Sequence, residues 1–411
     1  MFLESSARVK ASLFMAAAAA VLMFGYEVIR SVSNSLFKQT YGVENLPIIM
    51  ALVPLFLIPI IYLYNISLSR FGSKRTFYLT SLLSGVAIFF CYLLVLKGYK
   101  IGSALVYLLR ESYVILIVEQ VWSFVNSTLT QNEAKKYNGL ILSISSLGAI
   151  SGGFMVHFLA EQIGTVNLLT ISAVMCIPTA IIGWAAYAKN PVTITPKSKD
   201  LQEGGNFGLS LFKEQKMLYL ILIMIVASQV YSTIATLNFQ AELQDSYPLI
   251  DQQTAVSGLF FGSLHVLSFV FQFLLSPILL SSFSVSTLHL AIPLLHLFSA
   301  LTVILFPSLW TAGFSLMLFK SVDYSIFRAA KEILYIPLTF DARFRAKKII
   351  DVFGYRFSKS ATSFLIGVLQ NLGLVLSGVG FGFVSFFSAV SWFMFVVPIM
   401  KASTAEQVEL T

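Results

Sequence analysis

Long apolar runs separated by short polar ones set the pattern of this chain. A helix needs about 20 apolar residues to cross roughly 30 Å of hydrocarbon. Twelve segments qualify: 12–36, 46–65, 75–97, 102–126, 137–160, 165–188, 215–238, 254–281, 285–307, 310–335, 350–377 and 379–400. The longest polar stretch inside the chain, Lys189–Gly208, carries two prolines, a glycine pair and many charges, and it reads as a linker between two sets of six segments. The pattern predicts an all-α polytopic membrane protein, with a six-helix bundle over 1–188, a linker over 189–208 and a second six-helix bundle over 209–411. Pro54 and Pro59 are expected to kink the second segment and Pro337 to end the tenth. A very short turn at Gly378–Gly382 is expected to separate the last two. Ser145, Ala149 and Gly153, four apart in the fifth segment, predict close helix packing.

Composition agrees: 57% hydrophobic residues, 11% charged ones and a mean hydropathy of +0.82 exclude a soluble globule. The net charge of +8 is mostly topology. Seventeen Lys and Arg residues fall at the termini and in the even-numbered loops, against Lys38, Lys97 and Lys100 in the others, which places both termini in the cytoplasm and leaves no footprint for a nucleic-acid partner. The apolar run after Arg8 and Lys10 continues to Phe37, too long for a signal peptide. Cys91 and Cys176 read as lone apolar fillers. His289 and His296 share a face but lack a third ligand, so His265, His289 and His296 are expected to be hydrogen-bonded core histidines and not a metal site. No HExxH, nucleophile elbow, Cys–His pairing or paired loop carboxylates occur, so neither an enzyme nor a cofactor is expected.

Charge on an apolar helix is costly and marks candidate functional residues. In the first segment Glu27, Arg30 and Asn34 stand at i, i+3 and i+7. Both a self-neutralising structural pair and a cavity-facing anion site fit that spacing. The fourth segment repeats it with Glu119, Trp122 and Asn126, while Arg110 and Glu111 read as an interfacial pair. Ser228, Ser232 and Thr236 stripe the seventh segment, with Gln229 beside them. In the tenth, Lys320 is spaced to pair with Asp323 and Arg328 with Glu332, leaving Lys331 without a local partner. The eleventh opens on Asp351 and carries Tyr355, Arg356 and Lys359.

Leu68–Arg75, LSRFGSKR, looks like the loop between the second and third helices of the major facilitator superfamily. KEILYIPL at Lys331–Leu338, KKIIDVFGYRFSKS at Lys347–Ser360, VIRSVSNSLF at Val28–Phe37 and WSFVNSTLTQNEAKKYNG at Trp122–Gly139 resemble the nucleotide transporter family, the ATP/ADP translocases of obligate intracellular bacteria and plastids. That resemblance implies a major facilitator-like fold of twelve helices that exchanges or imports nucleotides. The placement of charge agrees: Arg30, Lys331, Arg356 and Lys359 are expected to clamp polyphosphate, Glu27 or Glu119 is the expected counter-charge of the empty site, and Asn34, Trp122, Asn126, Gln229, Asp323 and Arg328 are further candidates for substrate contact. The chain departs from the family at Ser31, Ser33 and Asn34, at Thr236 and Glu242, and at Arg328, and is thus a divergent member. The expectation is a monomeric secondary transporter for a nucleotide or related anion in a bacterial inner membrane, working by exchange or by proton-coupled uptake. The contending reading is a non-transporting scaffold or sensor on the same fold.

Overall fold

The computed structural model describes residues 2–190, 216–335, 350 and 354–409, and they form no strand. The helices are α1 (Phe2–Tyr41), α2 (Leu46–Leu96), α3 (Lys100–Thr128), α4 (Gln131–Ile163), α5 (Thr165–Lys189), α6 (Lys216–Ser246), α7 (Ile250–Val270) and α8 (Ser276–Ser282). They continue with α9 (Val285–Leu305), α10 (Leu309–Val322), α11 (Arg328–Ile333), α12 (Tyr355–Asn371) and α13 (Gly378–Glu409). Single π-helical turns join α7 to α8 at Phe271–Leu275 and α10 to α11 at Asp323–Phe327.

Among the described residues nine helical stretches are long and apolar enough to cross a membrane, so this is a multi-pass membrane protein. The helical backbone of α2 runs on through Pro54 and Pro59 and breaks instead at Gly72, where φ is +73°. Only glycine takes that conformation without steric cost. The last connection also differs from expectation: α12 stops at Asn371, Gly373 turns the chain at φ +85°, and Gly378 already begins α13. Pro337, Asp351, the loop at 341–348 and the linker from residue 191 lie outside the described residues.

The chain divides into two compact units, one of 1–43, 55–198 and 247–266, the other of 44–54, 199–246 and 267–411. In the first unit α1 is the hub, packing on α3, α4 and α5. Its Ala-rich run explains why. Gly148 and Gly152 of α4 lie directly on the backbone of Ala20 and Phe24, and Ser172 of α5 donates to the Gly25 carbonyl at 2.9 Å. Lipid gives no hydrophobic drive for helices to associate, so such backbone approach and interhelical hydrogen bonds supply the cohesion. On another face of α4, Gly153 meets Gly258 and Gly262 of α7, which fulfils the packing expected of that small-residue stripe.

Helix ends follow the local sequence. Thr130 and Glu133 form a reciprocal capping box at the start of α4, and Arg8 adds an ion pair to Glu133 at 3.2 Å. Part of the stretch that resembles the transporter family is therefore a helix start. α5 opens after Gly164 without a cap of its own, and Asp251 of α7 accepts from both the amide and the hydroxyl of Thr165 at 2.6 Å.

The second unit is built round α6, against which α10, α12 and α13 pack. Tyr231 is its knot. The phenol is paired with Ser299 and Ser315 at 2.7 and 2.8 Å, and its ring stacks on Phe319. His296 lies flat on Trp392, centroids 5.4 Å apart and planes at 19°. Ring stacking, and not the expected hydrogen bonding, is thus what holds this histidine, because both ring nitrogens are buried without a polar partner.

The α1–α4 contact yields a test. A methyl added by Gly148→Ala would land on the Ala20 backbone, which cannot turn aside. Overpacking of this kind costs about 1–3 kcal/mol, so the thermal midpoint of the purified protein should fall by several degrees. Gly380→Ala, whose added carbon meets only Leu376 and Ser377 side-chain atoms at 3.3 Å or more, should leave it in place. Equal midpoints for the two variants would refute the close approach.

Candidate functional site

In the first unit the charged face of α1 is satisfied from two directions. Glu27 is fully buried, and its Oε1 accepts from Arg30 at 3.3 Å and from His265 Nε2 of α7 at 2.8 Å. The expected i, i+3 pair therefore exists, and it has a third member that the sequence reading missed. The Arg30 guanidinium also lies 3.7 Å over the Phe261 ring, one helical turn before His265. Its side chain keeps about 15% of its surface exposed, so the charge sits at the edge of the packed core.

Arg110 is the second finding. Read as interfacial from the sequence, it is buried, and one guanidinium nitrogen donates to the Arg30 carbonyl at 3.0 Å, Ser33 Oγ at 2.9 Å and Asn34 Oδ1 at 2.7 Å. Glu111 neutralises it at 3.1 Å, and Tyr107 lies 4.0 Å beneath it. Asn34 consequently serves as an acceptor for Arg110. A signal was present in the sequence: Tyr107, Arg110 and Tyr113, three apart, share a helix face, and all three are buried.

Glu119 and Asn126 are exposed on α3, and Trp122 packs half-buried on the core. Glu119 lies nine residues beyond Arg110, about 13 Å along the helix, so Glu27 is the carboxylate that the structure places on Arg30. A cleft of about 40 Å³ opens nearby between Tyr64, Gln120, Ser123, Ser127 and Tyr187, room for water but not for a nucleotide. Lys38, assigned to a loop from sequence, is buried in the last turn of α1, where the helix dipole favours a cation.

The second unit carries the other cluster. The π turn shifts the helical register by one residue and brings Asp323 to Arg328, five positions on, at 3.8 Å. Lys320, the partner expected for Asp323, donates instead to Ser232 of α6 at 2.9 Å. Arg328 thus leaves Glu332, which pairs with Lys331 at 3.4 Å. Lys331 is buried. The Tyr355 ring of α12 gathers both cations, with Lys331 at 5.4 Å and Arg328 at 5.8 Å. Arg356 is exposed and Lys359 half-buried on the same helix. Gln229 is buried and donates to Ser228 at 3.4 Å. Among the described residues of this region, Lys320, Arg328, Lys331, Arg356 and Lys359 are the cations, and Asp323 and Glu332 lie against Arg328 and Lys331. No group of His, Cys, Asp and Glu able to hold a metal ion occurs among the described residues.

Comparison with known proteins places these features. Residues 207–403 match the family model described as TLC ATP/ADP transporter. The chain is 23% identical to ADP,ATP carrier protein 3 of Rickettsia bellii, over 84% of each protein. It is 24% identical to ADP,ATP carrier protein 1 of Chlamydia trachomatis, over 73% of this chain and 64% of that one. In fold it is similar to a mutant of the nucleoside transporter NupG, with a TM-score of 0.69 at 12% identity over 95% of this chain and 99% of the other. The architecture is all-α and major facilitator-like.

Arg110 supplies the prediction here. Arg110→Ala removes three donated hydrogen bonds to α1 and the cation beside Glu111, so it should destabilise the protein by about 2–4 kcal/mol. Arg110→Lys, which keeps the charge but loses the planar fork, should recover less than half of that loss. Thermal unfolding in detergent measures both, and an unchanged midpoint for Arg110→Ala would contradict the bridging role.

Proposed function

We infer that this chain, a divergent relative of the ATP/ADP carriers of the nucleotide transporter family, is a secondary transporter that moves nucleotides or closely related anions across a membrane. The observation that carries the reading is the arrangement at Arg30. A guanidinium in an apolar helix is held by a carboxylate oxygen at the long distance of 3.3 Å, and that oxygen is shared with His265. The other oxygen, Oε2, is buried without a partner. A pair serving stability alone would satisfy both oxygens, because an unmet acceptor in hydrocarbon costs free energy. Phosphate oxygens match the guanidinium fork in charge and spacing and can take the place of that carboxylate.

Lys331, Arg328, Arg356 and Lys359 are the cations that the second unit offers the same class of ligand, and Asp323 and Glu332 are their counter-charges in its absence. Gln229, Trp122, Asn126 and Glu119 remain candidates for the rest of the substrate. Ser33 and Asn34 stand where the family carries charge, and here they bind Arg110. The departure thus exchanges a polar substrate contact for an interhelical tie, which favours an anion related to the family's substrates over ATP/ADP exchange itself. Twelve crossings in two six-helix bundles, a bacterial inner membrane, cytoplasmic termini and a monomeric state complete the proposal, with orientation supported by the distribution of basic residues. Alternating access is the mechanism of the proposed transport.

Uptake of labelled ATP into proteoliposomes tests this, with unlabelled ATP, ADP, GTP, NAD and S-adenosylmethionine as competitors. Arg30→Ala and Lys331→Ala should each weaken apparent affinity about 10- to 100-fold, the loss of a charge-assisted contact, while expression and monodispersity persist. Full transport by both variants would sink the anion-binding role. Absence of uptake and of competition for every nucleotide would sink the transport reading.

A further inference from the structure

Binding an anion at Arg30 accounts for the guanidinium but not for the histidine that shares its carboxylate. Arg30 alone neutralises Glu27. His265 Nε2 on the same Oε1, at 2.8 Å, adds an imidazole, a group that can take up a proton and donate it to that oxygen. Its side chain is 14% exposed and that of Arg30 15%, while Glu27 is fully buried, so the two partners are the accessible members of the contact.

We propose that Glu27 and His265 form a proton-binding site, and that one proton enters with each anion carried. The inference rests on the transport reading above. When the anion draws Arg30 away, the buried carboxylate is left to His265 alone. A proton from water on the open side then binds the imidazole, and the imidazolium donates to Glu27 Oε1, so the carboxylate is never bare in a medium of low dielectric. When the anion departs and Arg30 returns, two cations face one carboxylate and the proton leaves to water. Nothing is oxidised or reduced, and the proton and the anion are the only species moved.

The surroundings support a closed account among the described residues of this unit. On α1, Tyr26 lies beside Arg30, at 6.0 Å from the ring centroid. On α3, Arg110 and Glu111 neutralise each other, and Tyr113 faces Tyr26 at 6.5 Å. On α4, His157 is turned to the Ala255 carbonyl at 3.1 Å. On α5, Ser172 is turned to the Gly25 carbonyl, and Cys176 follows it at 3.6 Å. On α7, Asp251 is occupied by Thr165, fourteen residues and about 21 Å from His265. Glu27 is thus faced by the Arg30 guanidinium and the His265 imidazole, and His265 by the Glu27 carboxylate.

Two measurements test the proposal. Calorimetry of ATP binding to the detergent-solubilised protein, in two buffers of different ionisation enthalpy, should report close to one proton taken up per ATP bound, and His265→Asn should abolish that uptake. In proteoliposomes holding a pH-sensitive dye, ATP entry should acidify the lumen. An acid-outside gradient of one pH unit should raise the initial rate several-fold, and His265→Asn should lose that stimulation when each protein is normalised to its own ATP counterflow. Thermal unfolding of His265→Asn confirms that the variant is folded, and Glu27→Gln, which removes the acceptor charge, should lose the stimulation as well. Counterflow without proton uptake, or stimulation retained by folded His265→Asn, would overturn the proton site and leave the transport reading intact. Absence of counterflow for every nucleotide would overturn both.

Discussion

Hydrocarbon offers a buried charge no partner except another side chain, and the first unit is arranged round that constraint. α1 carries Glu27, Arg30 and the acceptors for Arg110 within eight residues, and every helix recorded against it answers a specific need. α3 brings a guanidinium to the Arg30 carbonyl, α7 brings a histidine to Glu27, and α4 and α5 approach closely enough that their small residues leave no gap. Loss of one member of this network orphans another, so packing and charge in this unit are not separable.

The long apolar helices were legible because crossing a membrane requires about 20 apolar residues whatever the fold. The Glu27–Arg30 pair was legible for an equally local reason, since one helical turn separates the two residues. His265 was not legible. It lies 238 residues from Glu27, and a lone histidine in an apolar helix has no local pattern to distinguish it from core filling. Arg110 was misread because Glu111 is its sequence neighbour, and adjacency suggested a solvated pair. The helix face that it shares with Tyr107 and Tyr113 points inward instead. Local spacing reports helices and turn-to-turn pairs, whereas contacts between helices depend on which faces meet.

Ser33 and Asn34 have a visible occupation. Both receive Arg110, and a charged side chain at either would have to displace that guanidinium or compete with it. Ser33, Asn34 and the buried Arg110 therefore form one unit. With the turn after Arg30 tied to α3, the Arg30 guanidinium meets Glu27 of α1 and Phe261 of α7.

In the second unit the π turn at Asp323–Phe327 decides which charges meet. In an uninterrupted α-helix Asp323 would face Lys320 on one side and Ile326 and Phe327 on the other. The extra residue in the turn carries Arg328 round to Asp323, and Lys320 is then free to reach Ser232 of α6. Lys331 moves into the same neighbourhood, where the Tyr355 ring lies near it and Arg328 alike. Turns of this kind recur at functional sites because they redirect side chains without ending the helix. Here the redirection exchanges the local pairs Lys320–Asp323 and Arg328–Glu332 for Asp323–Arg328 and Lys331–Glu332, and it sends Lys320 across to α6.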